Sequence, residues 1–594
     1  MAKIAAILGD LRSNRDRLVK DLYFYSIFAI LIAVLYHPVM NNFWVFDDTY
    51  ILRQIQKNSI LNFFLVPAVW HKISTSYLTP WVTLSLGLDL KIFGFHHQFF
   101  YLHQLFSIWL AVIALYAILK SYMPRVFGAA GALLFLFSAP IAAAAEMLSI
   151  RHYIEGLVLY LFALYFFIKA LRNHALFNSL LSAVLYFFAM SAKELYVPLG
   201  MVFLFFPRGG LKKRIACSIP SIGALILYFI WRQWMLGSFI AGPGMGLFIS
   251  YSGWNSLLFF IKNVYVSLLM FSGGTVGNTI LIFCVCMLPA AAVILCLKER
   301  KYLPLLFFTI LFFAVYSVPL SVFNLYDVKS VFTEYRLSLV IAAYLSVVIP
   351  SAAYFLYDYI GHGNLTTTRF GSISKGLPLS LLAGILMITV WSSTLWIAAQ
   401  RERIIKPLVQ EAKFFMRAGK DILIVTPKPI PSYYYENLEF FKWYYLKEQS
   451  PGVVYNSFAY PDDPEPPALK GLSIFRYDVD RGAMSDITGF FFRKRSEYLS
   501  HVKKMPFSVT LTVNKGEVSF FVGPSSAGQY FALMGYRPGL YCATATVVRQ
   551  ARVKMATSIK AFLRFGWESP EGWITFSPEW FIDSSKNQEI VWSQ

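Results

Sequence analysis

The sequence predicts a polytopic α-helical membrane protein with a C-terminal soluble domain of mixed α/β or β-rich character, and three observations predict it. Of 594 residues, 57% are hydrophobic and only 14% charged, with a mean hydropathy of +0.55, a balance that soluble globular chains do not show. The apolar residues gather into stretches long enough to cross a hydrocarbon core, which takes about 20 residues of helix. The 53 Lys and Arg against 32 Asp and Glu fall into short loops between those stretches, a pattern that sets orientation and does not point to nucleic acid.

Residues 1–21 form a basic cytoplasmic segment with Lys3, Arg12, Arg15, Arg17 and Lys20. The first stretch, Leu22 to Met40, lacks an Ala-x-Ala-like cleavage site and is expected to stay as an anchor. Basic loops recur at Lys120/Arg125, Lys169/Arg172, Arg208/Lys212/Lys213/Arg214, Lys298/Arg300/Lys301 and Arg369/Lys375, which places them in the cytoplasm with the N-terminus. About eleven spans are read from length and hydropathy, at roughly 22–40, 98–119, 126–145, 153–170, 175–190, 195–207, 215–235, 278–297, 303–323, 337–357 and 376–399. They make a transmembrane domain over residues 22–399. Leu257 to Phe271 is left out of the count, because including it puts Lys298-Glu299-Arg300-Lys301 on the outer face. An amphipathic or re-entrant helix with Lys262 in its middle fits better.

From residue 400 to 594 charged residues, prolines and turn signals take over, and a separate periplasmic or lumenal domain is expected. Asp421 to Thr426 reads as a buried strand and Tyr433 to Glu448 as a helix or aromatic-rich loop. Pro461-Asp462-Asp463-Pro464-Glu465-Pro466-Pro467 reads as a linker. Val509 to Val513 and Val518 to Val522 form a hairpin around Asn514-Lys515-Gly516-Glu517. Strands over Gly539 to Val548 and Met555 to Phe565 complete a β-sandwich-like half.

Chemistry that can be excluded narrows the reading. Cys217, Cys284, Cys286 and Cys296 lie in or beside spans and only Cys542 lies in the outer region, so no disulfide framework is expected. Cys284 and Cys286 point to different helix faces, which argues against a metal pair. No His-Glu-x-x-His, Walker-type or dinucleotide motif occurs, and Gly242-Pro243-Gly244-Met245-Gly246 reads as a flexible turn. No cofactor is established by these residues, and a divalent cation stays an open option that no motif supports.

The outer loops instead collect mixed acids and bases: Asp47 and Asp48; then Glu146, Arg151, His152 and Glu155; then Lys193 and Glu194; and Asp327, Lys329, Glu334 and Arg336. Adjacent carboxylates just past a span are functional candidates. Their plain reading is that they cap the short amphipathic helix through Ile51, Ile55 and Ile60, although capping needs only one acid.

In order along residues 40 to 340, Asp47-Asp48, Thr79-Pro80-Trp81-Val82-Thr83-Leu84-Ser85, Phe93-Gly94, Tyr101-Leu102-His103-Gln104, Glu146-Met147-Leu148-Ser149-Ile150-Arg151 and Ser191-Ala192-Lys193-Glu194 resemble the motifs of polytopic GT-C glycosyltransferases. The resemblance is to protein O-mannosyltransferase-like and aminoarabinose-transferase-like enzymes. Thr79 stands where those relatives carry Arg, Tyr153 where an acid often follows Arg151, and the last loop reads Glu334-Tyr335-Arg336.

That resemblance implies a hexosyl- or pentosyltransferase. It would move a sugar from a polyprenyl-phosphate donor to a lipid, glycan or protein acceptor on the outer face, with membrane lipids as surroundings. Such a transfer needs a carboxylate to take the acceptor proton and cations at the departing phosphate. Asp47 is expected to be the base with Asp48 supporting it. Lys193, Arg336 and Arg151 are expected at the phosphate, and Glu146, His152, Glu194 and Glu334 as supports.

Plainer readings stand beside these. Lys193-Glu194 reads equally well as an interfacial ion pair, Arg336 as the partner of Glu334, and His103 and His152 as hydrogen-bonded interfacial residues. Tyr50, Tyr77, Trp81 and Tyr101 read first as an aromatic belt. A flippase or transporter, which needs ionisable residues within its spans, and a lipid-linked glycan polymerase or ligase are the alternatives.

Overall fold

The structure, a computed structural model, describes residues 2–45, 47–173, 175–206, 209–239, 332–362, 370–418, 422–425, 473–502, 506–514, 517–535, 543–554, 560–570 and 574–594, with Val266, Met270, Phe271 and Gly273. The chain divides into two compact units. One comprises Met1–Asn42 and Gln54–Ile405, the other Phe43–Arg53 and Lys406–Gln594.

The first unit is a helical membrane body. Among the described residues six helices are long and apolar enough to cross a bilayer: Val19–Asn41, His97–Leu119, Leu148–Asn173, Leu211–Leu236, Tyr335–Ile360 and Gly376–Arg417. These coincide with six of the expected spans, and the protein is an integral membrane protein. Arg125–Leu136 and Ala139–Ala145 form a seventh candidate, bent by 54°. The bend falls at Ser138, where Pro140 opens the second segment, a position proline tolerates because its missing N–H has no helical partner there.

One expected span is a helix at the short end of spanning length, and another differs from the structure. Leu176–Ala192 is a helix of 17 residues, about 25 Å at the rise of an α-helix. Where a span is expected over 195–207, the described residues form a 3₁₀ turn, Glu194–Gly200, running into the four-residue helix Met201–Leu204, too short to span. Hydropathy sees only its apolar composition. Extended backbone at Lys193 and Pro198 inside the turn break the helix that composition suggests. The expected spans at 278–297 and 303–323 and most of Leu257 to Phe271 lie outside the described residues.

Aromatic packing joins the first helix to the second, with Phe24 and Phe28 ring centres 5.3 and 5.8 Å from that of Tyr116. At one end of the same pair Asp21 accepts from Lys120 Nζ at 2.7 Å and Arg125 Nε at 3.1 Å.

In the second unit a three-stranded sheet comprises β1 (Ile422–Val425), parallel to β2 (Ser473–Asp478), which pairs antiparallel with β3 (Ala483–Asp486). Helices Lys406–Arg417 and Thr488–Val502 belong to this unit, and Phe414 of the first packs on Phe475 of β2 at 4.6 Å.

A sandwich follows, built from β4 (Ser508–Asn514), β5 (Glu517–Gly523), β6 (Gln529–Gly535), β7 (Ala543–Val547), β8 (Gln550–Lys554), β9 (Lys560–Glu568), β10 (Ile574–Phe576), β11 (Trp580–Asp583) and β12 (Gln588–Ser593). One sheet runs β12-β4-β5-β8 and the other β10-β9-β6-β7, with β11 on β9. Strict alternation puts Val509, Leu511 and Val513 of β4 and Val518, Phe520 and Val522 of β5 into one core with Tyr530, Phe565 and Trp567. The expected hairpin forms with Val513 opposite Val518. Tyr433 to Glu448 and the proline-rich linker lie outside the described residues.

Candidate active site

The helix Leu176–Ala192 stops where Lys193 adopts φ −156°, ψ 133°. This extended residue separates the directions of two adjacent charges. Glu194 turns to one side, where its Oε1 accepts from the Leu78 N–H at 2.9 Å and from Arg232 Nε at 2.9 Å. Lys193 turns to the other, where its Nζ stands 4.5 Å from the centre of the Tyr77 ring and 4.8 Å from that of Tyr153. The alternative of a Lys193–Glu194 ion pair is therefore not what the geometry holds.

Both rings are fixed through their backbones. Trp70 Nε1 donates to the Tyr77 carbonyl at 2.8 Å and the Tyr77 N–H donates to Ser74 Oγ at 3.0 Å. The Tyr196 hydroxyl donates to the Tyr153 carbonyl, and a side chain at Gly156 would collide with the Tyr196 ring. Burial holds the Tyr77 phenol above its ordinary pKa, as do Tyr153 and Glu194, against the opposing charge of Arg336. It stays neutral at physiological pH and offers Lys193 an aromatic face.

Arg336, in the 3₁₀ turn Phe332–Ser338, brings its guanidinium carbon 5.8 Å from the same Tyr153 ring. Its Nε is buried and has no hydrogen-bond partner among the described residues. His152 is buried beside Tyr153 and interacts electrostatically with both Lys193 and Arg336. Lys193, Arg336 and His152 are thus brought together. The Glu334 side chain lies outside the described residues.

Arg151 has a different setting. Fully buried, it donates from Nη1 to Asp89 and to Ser85 Oγ, from Nε to Gln104 Oε1 at 3.2 Å, and from Nη2 to the Phe100 carbonyl. Asp89 also lies 2.8 Å from His103 Nδ1, and Glu155 accepts from Ser85 Oγ at 2.6 Å and Trp81 Nε1 at 2.8 Å. Three helices are tied by this network, which occupies the guanidinium.

Glu146 is likewise enclosed. It accepts from Asn42 Nδ2 at 2.6 Å and Arg401 Nη1 at 3.0 Å, while Arg401 Nη2 donates to the Pro38 carbonyl at 2.7 Å. Burial raises the Glu146 pKa above the usual carboxylate range, with Arg401 and Asn42 pulling the other way.

Asp47 and Asp48 belong to the second unit. The Asp48 side chain is buried and its Oδ2 accepts from the Val45 N–H at 2.9 Å, fixing the turn into the helix Asp48–Lys57. Asp47 is exposed, and its carbonyl accepts from the Ile51 N–H at 3.0 Å. One acid shapes the loop and the other faces outward.

Among the described residues no group of three His, Cys, Asp or Glu side chains is arranged to hold a metal ion. Sequence reasoning missed Arg232, Asp89 and Arg401. The signal for Arg232 was available, since a charge inside an apolar helix demands a partner.

No protein-family model and no curated protein sequence matches the chain. Among solved structures it is similar to ArnT from Cupriavidus metallidurans. The apo form and the form bound to undecaprenyl phosphate each align over 82% of this chain and 92% of theirs, at 12% identity and a TM-score of 0.40.

Proposed function

We propose that the protein is a membrane glycosyltransferase of the GT-C type, moving a sugar from a polyprenyl-phosphate donor to a lipid, glycan or protein acceptor on the outer face. The observation that carries this reading is that Lys193 and Arg336 converge on Tyr153 while Glu194, the adjacent acid, is engaged by Arg232. Aromatic faces hold a cation without neutralising it, so the pair keeps its charge for an anion. A lipid-borne phosphate supplies one.

In the transfer, the acceptor oxygen attacks the anomeric carbon and the carbon–oxygen bond to phosphate breaks. The bonding pair leaves with the phosphate, and the acceptor proton passes to Asp47. Lys193 and Arg336 stabilise the charge that grows on the departing phosphate. Asp48 holds the turn that presents Asp47, with the Val45 N–H as its anchor.

A transporter also places charges within its spans. Here Arg151 is bound to Asp89 and Ser85, and Glu155 to Ser85 and Trp81, which favours a fixed scaffold over a substrate path. Mass spectrometry of lipid-linked sugars and surface glycans, from cells with and without the protein, tests the proposal. Loss of one glycan increment with accumulation of its lipid-phosphate sugar is expected, and an unchanged profile sinks it.

A further inference from the structure

We infer that Arg232 is a positioning residue of the anion site: by holding Glu194 it keeps the Lys193 ammonium available to a phosphate. The inference rests on the phosphate-binding reading of Lys193. The extended backbone at Lys193 sends the two side chains apart, but an unengaged carboxylate a few ångströms away still weakens a lysine's pull on an anion. Arg232 is only 2% exposed, and its grip does not depend on Glu194 alone. Its Nη2 donates to the Ser76 carbonyl at 3.2 Å and its Nη1 to Ser238 Oγ at 3.2 Å and to the Ser238 carbonyl.

The same anchoring places the ring beneath Lys193. Ser76 is held by Arg232 directly, and the Leu78 N–H is held by the Glu194 oxygen that Arg232 also grips. Tyr77 lies between those two fixed points. Arg232 thus acts on the ammonium twice, by engaging its competing carboxylate and by clamping one of its two aromatic supports. A buried arginine suits this task because its planar fork serves several acceptors at once.

The test is a double-mutant cycle on the full-length protein in detergent, with a short-chain polyprenyl monophosphate as probe and binding counted per folded molecule. R232M should weaken binding by roughly tenfold to hundredfold, the range of one lost charge-assisted contact. Adding E194Q removes the competing charge and should recover a clear part of that loss, the remainder reflecting the lost clamp on Ser76 and Tyr77. Equal weakness in R232M and R232M/E194Q overturns the inference, because a merely structural arginine is not rescued by neutralising its partner. Should R232M not fold, R232Q and R232Q/E194Q make the same comparison. K193A separates the two claims. If K193A binds normally the phosphate reading itself fails; if K193A weakens binding and R232M does not, only the positioning role fails.

Discussion

The ammonium of Lys193 stands 4.8 Å from the centre of the Tyr153 ring, on a residue whose chain neighbour Glu194 faces Arg232 instead. Each cation–π contact of this kind contributes about 0.5–2 kcal/mol, depending on desolvation. Two of them, from Tyr77 and Tyr153, fix the lysine without the charge cancellation that a carboxylate imposes. The proposed anion site rests on this arrangement.

Replacing Lys193 or Arg336 by Ala should each weaken binding of a polyprenyl monophosphate by about 1.5–3 kcal/mol. Titration of the folded variants measures it. Unchanged affinity in both returns these residues to the role of helix-end anchors.

Arg151 is expected to act on stability. Removing one partner of a buried ion pair leaves the other uncompensated and costs about 3–5 kcal/mol, so Arg151→Ala and Asp89→Asn should both lower the unfolding temperature. Phosphate affinity of the protein that remains folded should not change. A selective loss of affinity in Arg151→Lys, without destabilisation, would restore Arg151 to the phosphate site.

Glu146 gives a pH dependence of defined sign. Its folded pKa is raised above the ordinary value of 4.5, so the folded state binds this proton more tightly than the unfolded chain. Its contribution is fully present below that ordinary value and is lost as pH rises through the raised one. Unfolding of wild type and Glu146→Gln, compared from acidic to neutral pH, should show wild-type stability falling relative to the variant as pH rises. A difference that is constant or of opposite slope contradicts the assignment.

From the loop charges, the positive-inside rule predicts an N-terminus in the cytoplasm and a second unit outside. Val479 is 69% exposed, and Val479→Cys in a background without native cysteines should react with a membrane-impermeant reagent from the outer side. Labelling from the cytoplasmic side alone reverses the topology and removes the proposed acceptor face.

The sequence made the membrane class legible because hydropathy depends on composition over about 20 residues, which single breaks barely alter. The β4–β5 hairpin was legible for a similar reason, since its apolar residues alternate without interruption from Val509 to Val522. Shorter features escaped. Nothing in the residues 195–206 announces a 3₁₀ turn except Pro198, and the partner that holds Glu194 on its own side, Arg232, lies 38 positions away. Arg151 shows the limit most clearly. Its position near an apolar boundary suited a phosphate ligand, while its partners Asp89, Ser85 and Gln104 come from two other helices, and no local pattern specifies them.

The proposed chemistry converges on Asp47, the exposed member of the pair. Loss of a general base costs about 10²–10⁴-fold in rate, whereas Asn caps a helix nearly as well as Asp. The most direct measurement is product formation, followed by mass spectrometry of lipid-linked sugars and glycans, in cells whose only copy is Asp47→Asn. The variant should insert, fold and bind the polyprenyl phosphate, yet form at least about a hundredfold less product while the donor accumulates. Near-normal product in both Asp47→Asn and Asp48→Asn would contradict the mechanism.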